Sequence, residues 1–262
     1  MFRKLYLSLV LILFVAPAVL AETADDIVAK HIEAMGGKDK IQAVKSMKMT
    51  GKMQVQEGLE APITMLVKVP DQVRMEFTIQ GLTAVQAYDG KNGWEIMPFT
   101  GKKDPEAMSG DDVKELQDQA DIWPLLDYKA KGNQVELLGK DKVEGTDAYK
   151  LKLTRKNGDS STIYLDSDNY MEIKDEEKRM VRGTEREIET SLGDYREVNG
   201  IMFPFAIESS QKGSAEKQKV TIDKVELNAP VDEASFKMPA KAAPGPAANP
   251  EPKPAEKKPP QN

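Results

Sequence analysis

Cysteine does not occur in this 262-residue chain, and histidine occurs once, as His31. Without thiols there are no disulfide bonds, so a folded domain must be held together by a buried apolar core. Zinc lacks its usual sulfur and nitrogen ligands, and a Ser-His or Cys-His catalytic pair would have to use His31. No serine stands in a Gly-x-Ser-x-Gly turn. Because His31 falls on the apolar side of a predicted helix, we interpret it as structural.

Other signatures of catalysis or metal binding are also missing. No glycine-rich phosphate-binding loop occurs. The most acidic loop, residues 166–173, has the first positions of a calcium loop but lacks its glycine and its final glutamate. Carboxylates are numerous, but nothing in their spacing selects an acid and base pair. We therefore predict that the protein is not an enzyme and uses no cofactor and no metal ion. A carboxylate-dependent hydrolase is the remaining alternative.

The chain also has no excess of basic over acidic residues. The chain has 37 lysine and arginine residues against 43 aspartate and glutamate residues, so its net charge is −6. A nucleic-acid-binding protein needs a basic surface, and docking to an anionic membrane by charge alone needs one too. We therefore predict no nucleic-acid partner.

Only one long apolar run occurs, and it lies at the N-terminus. Arg3 and Lys4 precede the apolar residues 5–14, and residues 19–21 present a cleavage sequence for a signal peptidase. This pattern predicts a secretory signal peptide over residues 1–21. The run is shorter than the ~20 residues of a membrane-spanning helix. We expect a periplasmic protein that is not an integral membrane protein.

The C-terminal end differs in composition from the rest of the chain. Residues 240–262 are rich in proline, alanine and lysine and show no apolar periodicity. Such a segment buries too little apolar surface to offset its ordering entropy, so we predict a disordered tail. Residues 22–239 then form a single folded domain.

Three short helices are predicted within this domain. Thr23 and Asp26 form a variant of the capping box at the start of the first helix, whose apolar stripe ends at Gly36-Gly37. A second helix covers residues 38–45. A third extends from Asp111 to about Ala120 and leads into the sequence DIWPLLDY.

From Ser46 onward the apolar period changes to two, which is typical of strands with one apolar and one polar face. Turn dipeptides such as Asn157-Gly158 and Asn199-Gly200 separate the runs. Three short helices are too few to cover both faces of a large flat sheet. We therefore expect the sheet to curl around its own apolar face. We therefore predict a mainly β fold with a few short helices. Its curled antiparallel sheet forms an open half β-barrel, with helices covering the apolar concave face.

Two features of the predicted strands bear on what this concave face does. Methionine is frequent on the first three strands, and it suits surfaces that accommodate variable apolar partners. A later strand carries Phe203 and Phe205 on one face and Pro204 on the other, so an edge, a bulge or an incomplete ladder is expected at Pro204. An ordinary core filled by adaptable side chains is the alternative. The methionines concerned are Met47, Met49, Met53, Met65 and Met75.

Three segments resemble the outer-membrane lipoprotein-sorting proteins, the periplasmic LolA/LolB-like carriers of lipids and lipoproteins. Residues 231–239 are similar to the family's last strand, and residues 193–209 match the wider group. One position departs from the carrier pattern, because Val69 stands where the Lol carrier has an arginine that helps to hold its lid shut. The third segment, residues 67–99, is similar in Lys68-x-Pro70, in Tyr88-Asp89-Gly90-Lys91 and in Trp94-x-x-x-Pro98-Phe99.

The resemblance implies a half-barrel whose apolar interior holds acyl chains and is closed by short helices. The ligand would be a lipid or an acylated lipoprotein, and membrane-embedded donor and acceptor proteins would be partners. We therefore hypothesise a periplasmic, non-enzymatic carrier or binding protein. The alternative is an envelope regulatory, stress-sensing or structural interaction protein that uses the same fold without transport.

The candidate site residues follow from the strand faces together with this resemblance. The cavity lining is predicted to comprise Met49, Met53, Met75, Phe77, Trp94, Phe203 and Phe205. The lid is predicted to comprise Ile122, Trp123, Leu125 and Leu126.

Overall fold

A computed structural model describes residues 22–56, 58–108, 110–181 and 184–240. The predicted signal peptide, and the predicted tail beyond residue 240, lie outside these ranges. The described helices are α1 (Ala24–Ala34), α2 (Lys38–Gln42) and α3 (Asp111–Ala120), with short 3-10 turns at Pro98–Thr100 and Glu233–Phe236. The described strands are β1 (Ser46–Gln56), β2 (Leu59–Lys68), β3 (Gln72–Ile79), β4 (Leu82–Tyr88), β5 (Gly93–Met97), β6 (Lys102–Ala107), β7 (Gln134–Val143), β8 (Thr146–Thr154), β9 (Ser160–Asp166), β10 (Glu172–Val181), β11 (Thr184–Val198), β12 (Ile201–Gln211) and β13 (Gln218–Leu227).

These strands form one antiparallel sheet in the order β6-β5-β4-β3-β2-β1-β13-β12-β11-β10-β9-β8-β7. Its two ends, β6 and β7, are not paired with each other, so the sheet stays open. The chain passes from β6 to β7 through α3, which contacts β3, β4 and β5 as well as β10. The predicted mainly β fold with an open, curled antiparallel sheet is therefore confirmed.

The N-terminal helices largely follow the sequence prediction. The side chain of Thr23 accepts a hydrogen bond from the N–H of Asp26 (3.2 Å), and the Asp26 carboxylate accepts one from the N–H of Thr23 (3.0 Å), so the capping box is present. The helix α2 ends at Gln42, three residues earlier than predicted. Its end is set by the sheet, because Val44 is buried and the N–H of Lys45 donates to Asn228 after β13.

The helices cover one face of the sheet, which we call the inner face, and the opposite face is the outer face. Residues that pair across neighbouring strands share a face. The paired row Met47, Val67, Val73 and Tyr88 packs against Leu116 of α3 and is therefore part of the inner face. All four strand residues are buried, as expected for strands with one apolar side.

The strands β12 and β13 separate at one end. They pair only along residues 206–209 of β12, whereas the preceding part of β12 pairs with β11 alone. Pro204 lies in this preceding part, opposite Tyr195. The incomplete ladder predicted at Pro204 is thus confirmed, although β12 is an interior strand of the sheet.

The turn between α1 and α2 meets the sheet beside this gap. The N–H of Met202 donates to the carbonyl of Met35 (2.9 Å). A Cβ atom on Gly36 would stand 2.2 Å from the carbonyl oxygen of Gly200. The close approach of the two backbones therefore requires glycine at position 36.

After β13 the chain crosses the outer face and is fixed there by its backbone carbonyls. The indole Nε1 of Trp94 donates to the carbonyl of Phe236 (2.7 Å), and the Arg74 guanidinium donates to the carbonyl of Ser235 (2.9 Å). Phe236 itself is completely buried. The last described segment is therefore a strap across β3 and β5 on the side opposite the helices.

Candidate functional site

Six of the inner-face residues form what we call the Met/Phe cluster. Three methionines on adjacent strands stand side by side, because Met49 pairs with Met65 and Met65 pairs with Met75. These three are half-buried, whereas the two phenylalanines of β12 are 5% exposed each. The cluster comprises Met47, Met49, Met65, Met75, Phe203 and Phe205.

The segment that follows α3, residues 122–126, lies over this cluster, and we call it the covering segment. The ring of Trp123 lies 6.3 Å from that of Phe203 at an angle of 52°. Lys131 fixes the segment by donating to the carbonyl of Trp123 (2.7 Å) and to the carboxylate of Asp121 (2.6 Å). The segment contributes no strand to the sheet. It therefore rests on the cluster through side-chain packing.

The predicted lid residues do not all share one environment. Ile122, Trp123 and Leu126 pack against the Met/Phe cluster. Leu125 points elsewhere, into a second core that we call the Leu/Ile cluster, where it is 2% exposed. The Leu/Ile cluster comprises Ile27, Leu125, Leu151, Leu153, Ile163 and Leu165.

Met53 and Phe77 lie nearer to the open end of the half-barrel. Met53 lines a wide pocket of about 1050 Å³ whose other lining side chains are mostly polar or charged, among them Gln54, Gln56 and Ser209. Phe77 stacks on Phe99, with ring centroids 5.7 Å apart, and Phe99 is 41% exposed. These two predicted lining residues are therefore placed beside the Met/Phe cluster, toward solvent.

Trp94 is not brought together with the other predicted lining residues. It pairs with Ala87, which pairs with Arg74, so it lies on the outer face. There it is 2% exposed beneath the C-terminal strap, with the Arg74 guanidinium 5.3 Å from its ring. The alternation of β5 did not reveal this position, because apolar residues occur on both faces of β4 and β5. We therefore omit Trp94 from the proposed lining.

A second, smaller pocket lies beside α3, and its volume is about 250 Å³. Asp118 of α3 and Arg155 of the turn after β8 both line it and form an ion pair, with 3.2 Å between Oδ1 and Nε. Asp175 and Glu177 of β10 also line it. Asp175 pairs with Ile163 of the Leu/Ile cluster, so the two carboxylates are on the inner face.

Two carboxyl groups in this region, Asp118 of the small pocket and Glu172 at the start of β10, have raised pKa values. Burial raises the pKa of Asp118 to about 6, although Arg155 acts in the opposite direction. Burial raises the pKa of Glu172, at the start of β10, to about 8, and Asp175 adds to this increase. This pocket was not predicted from the sequence. The strand sequence EIKDEEK could have indicated it, because Asp175 and Glu177 place charged side chains on a face that is apolar in the other strands.

The single histidine, His31, is buried and hydrogen-bonded to the backbone. His31 is 7% exposed, and its Nδ1 hydrogen-bonds to the carbonyl of Tyr170 (2.8 Å). Burial lowers its pKa. Over the described ranges, no group of three or more His, Cys, Asp or Glu side chains has a geometry that would hold a metal ion.

No family model matches the chain, and no curated protein matches it in sequence. Solved structures with the same fold do match. A LolA superfamily protein from Nitrosomonas europaea is 15% identical with a TM-score of 0.55, covering 83% of this chain and 98% of that one. A DUF1329 family protein from Desulfovibrio piger is 12% identical to this chain with a TM-score of 0.58. The match covers 83% of this chain and 98% of that one.

A third structure is a domain named for outer membrane lipoprotein sorting, from Vibrio parahaemolyticus. It is 12% identical to this chain with a TM-score of 0.54, and the match covers 80% of this chain and 94% of that one. At these identities the likeness concerns the fold. The chain has a LolA-like fold, which confirms the architecture that the sequence resemblance implied.

Proposed function

We propose that this protein is a periplasmic, non-enzymatic carrier or binding protein for a lipid or an acylated ligand. The acyl chain would lie on the Met/Phe cluster, in the space that the covering segment occupies in this structure. The proposed lining is Met49, Met53, Met75, Phe77, Phe203 and Phe205, and the proposed lid is Ile122, Trp123 and Leu126.

The observation that carries this proposal is the Met/Phe cluster beneath a segment that is not hydrogen-bonded into the sheet. Displacing Trp123 from Phe203 breaks side-chain contacts but no sheet hydrogen bond. An acyl chain gains about 0.8 kcal/mol per methylene group that it removes from water, so a bound chain compensates for the contacts that it replaces. Methionine side chains adapt to either occupant, because they are unbranched and flexible.

Two further considerations support the proposal. The predicted signal peptide places the mature chain in the periplasm, where an acylated molecule needs a carrier to cross an aqueous space. No helix in the described part of the chain is long and apolar enough to span a membrane. Membrane-embedded donor and acceptor proteins are proposed as the partners that load and unload the ligand.

The two tryptophans of the chain provide a direct test. The variant Trp94→Phe keeps Trp123 in the lid, and Trp123→Phe keeps Trp94 on the outer face. A fatty acid that carries a doxyl spin label quenches tryptophan fluorescence only at short range. Titrating it into both variants should quench Trp123 strongly and leave Trp94 almost unchanged.

Two results would count against the proposal. Equal quenching of the two tryptophans would indicate nonspecific adsorption. Quenching of neither, with no heat of binding in calorimetry, would refute acyl binding and favour the regulatory or structural alternative. If acyl binding is found, mass spectrometry of lipids extracted from the natively purified protein would identify the physiological ligand.

A further inference from the structure

The chain between α3 and β7 contains two parts that are held in different ways. The first part, residues 121–124, which we call the flap, rests on the Met/Phe cluster through the partly buried side chains of Ile122 and Trp123. The second part, residues 125–131, which we call the anchored part, begins with Leu125 in the Leu/Ile cluster. The flap is therefore the part of the lid that can leave the Met/Phe cluster without unpacking the Leu/Ile cluster.

Contacts with α1 and α2 hold the anchored part in place. The Asp127 carboxylate accepts hydrogen bonds from two side chains of α2, those of Lys38 (2.5 Å) and Gln42 (2.7 Å). Tyr128 is 7% exposed, and its hydroxyl group donates to the carboxylate of Asp25 in α1. Moving the anchored part would break these polar contacts and buried packing together, so it is the costlier part to move.

The side chain of Lys131 ties the flap to the anchored part. Its Nζ donates to the carboxylate of Asp121 (2.6 Å) and to the backbone carbonyl of Trp123 (2.7 Å), and both acceptors belong to the flap. The side chains of Lys131 and Asp121 are 33% and 29% exposed, so solvent screens their attraction less than that of a fully exposed pair. Because Lys131 stays with the anchored part, both bonds must break when the flap leaves the cluster.

We propose that Lys131 is the latch of the lid: it holds the flap closed over the Met/Phe cluster, and the acyl chain enters when its two bonds break. This inference rests on the proposed function and specifies how access to the site is controlled. It also divides the proposed lid, because Ile122 and Trp123 move with the flap and Leu126 stays with the anchored part. Lys131 is a positioning residue, since it acts on the ligand through the flap.

The latch makes closure of the flap compete with ligand binding. The apparent affinity for a ligand is the intrinsic affinity multiplied by the fraction of molecules in the open form. The Lys131 contacts exist only in the closed form, so removing them raises that fraction. Because partly exposed ion pairs contribute modestly, their loss should raise the acyl affinity about fivefold. Loss of a side chain with a purely structural role would instead lower stability without improving binding.

Lys129 provides a matched control, because it lies in the anchored part and pairs with Asp25 of α1 (2.6 Å). Lys131→Met removes the latch and keeps a side chain of similar length, and Lys129→Met makes the same chemical change two residues away. Calorimetry on the full mature protein with dodecanoate, below its micellar concentration, should show about fivefold higher affinity for Lys131→Met than for the wild type. Lys129→Met should bind like the wild type.

The position of the flap can also be followed without a ligand, through Trp123. In a Trp94→Phe background Trp123 is the only tryptophan of the chain, and acrylamide quenches its fluorescence according to its exposure. Lys131→Met should increase the quenching constant, whereas Lys129→Met should leave it unchanged. Lys131→Arg keeps the charge and the donors, so it should retain the wild-type quenching and affinity.

The outcomes separate the latch from the proposed function. Unchanged affinity and quenching in Lys131→Met, or equal changes in both methionine variants, would overturn the latch and leave acyl binding intact. If neither the wild type nor any variant binds dodecanoate, the proposed function fails, and the quenching of Trp123 still decides whether Lys131 holds the flap. If Lys131→Met is unfolded by circular dichroism, Asp121→Asn is compared with Asp25→Asn, and equal quenching in these two would likewise overturn the latch.

Discussion

The two apolar clusters on the inner face differ in composition and in how completely they are buried. In the Leu/Ile cluster, Leu151, Leu153 and Leu165 have no exposed surface, and α1 contributes Ile27, which is also fully buried. In the Met/Phe cluster, Met49 and Met75 are half-buried under the covering segment. The Leu/Ile cluster is built from branched side chains with few conformations. The Met/Phe cluster is built largely from unbranched side chains.

Under the proposed function, this difference separates stability from binding. Branched side chains without exposed surface resemble a close-packed core, in which any loss of volume is costly. Flexible methionines beneath a segment that adds no strand to the sheet tolerate a change of occupant. The Leu/Ile cluster therefore anchors the first helix and Leu125 to the sheet, and the Met/Phe cluster is the part at which we propose that a ligand replaces a protein segment.

The largest expected effect on stability is in the Leu/Ile cluster. Leu151→Ala leaves a cavity where no solvent reaches, and we expect a loss of about 2–5 kcal/mol in the free energy of unfolding. The matched variant Met75→Ala, on the half-buried cluster, should lose clearly less. Urea unfolding followed by circular dichroism measures both, and equal losses would contradict the proposed separation.

The next expected effect is on binding, at Phe205. Phe205→Ala removes a ring from the proposed lining, so affinity for an acyl ligand should fall about tenfold. Phe236→Ala is the control, because Phe236 is buried on the outer face. It should lower stability and leave the affinity of the folded protein unchanged. Calorimetry with the same fatty acid measures both variants, and a similar loss of affinity in each would place the ligand elsewhere.

A third prediction concerns the ion pair that joins the two regions, Asp118 of α3 with Arg155 beside β8. The pKa of Asp118 is raised to about 6 in the folded protein, so the folded state binds this proton more tightly than the unfolded state does. Its contribution to stability is therefore complete below about pH 4 and is lost as the pH rises through about 6.

The variant Asp118→Asn isolates this contribution from those of the other carboxylates. The stability of the wild-type protein relative to the variant should decrease between pH 4 and pH 6, as measured by chemical denaturation at each pH. A difference that is constant or that grows with pH would show that burial does not raise the pKa of the Asp118 carboxyl.

A smaller effect is expected at the start of α1, which packs on the Leu/Ile cluster. Thr23→Ala removes the side-chain acceptor of the N–H of Asp26, and loss of such a cap costs about 1 kcal/mol. Thr23→Ser keeps the acceptor and serves as the control. Thermal unfolding should show a lower midpoint for alanine only, and acyl binding at low temperature should be the same in all three proteins.

The smallest effect is predicted for the tail, which lies outside the described residues. Ending the chain at Ala240 removes a segment without an apolar stripe, so the thermal midpoint should stay within a few degrees. A decrease of more than about 8 °C, on the order of 2 kcal/mol for a domain of this size, would show that the tail packs on the domain.

Local sequence patterns predicted much of the architecture because they depend on neighbours in the chain. The capping box at Thr23 needs only Asp26, and the tight turn at Asn199-Gly200 needs only the positive φ angles that these residues adopt, 53° and 79°. Alternation at Met47, Met49 and Met53 predicted a one-sided strand. These features together determined an antiparallel sheet with three short helices, and the shortage of helices indicated that the sheet would curl.

Alternation divides a strand into two faces, but it does not say which face is inside or what will cover it. Trp94 was assigned to the cavity from sequence, and its position on the outer face depends on Phe236, which lies 142 residues further along the chain. Leu125 was grouped with the lid, and only the packing of α1 placed it in the Leu/Ile cluster. The small pocket combines Asp118, Arg155 and Asp175 from three separate elements. The tertiary structure decided these positions because burial and charge proximity depend on residues that meet only when the sheet has curled.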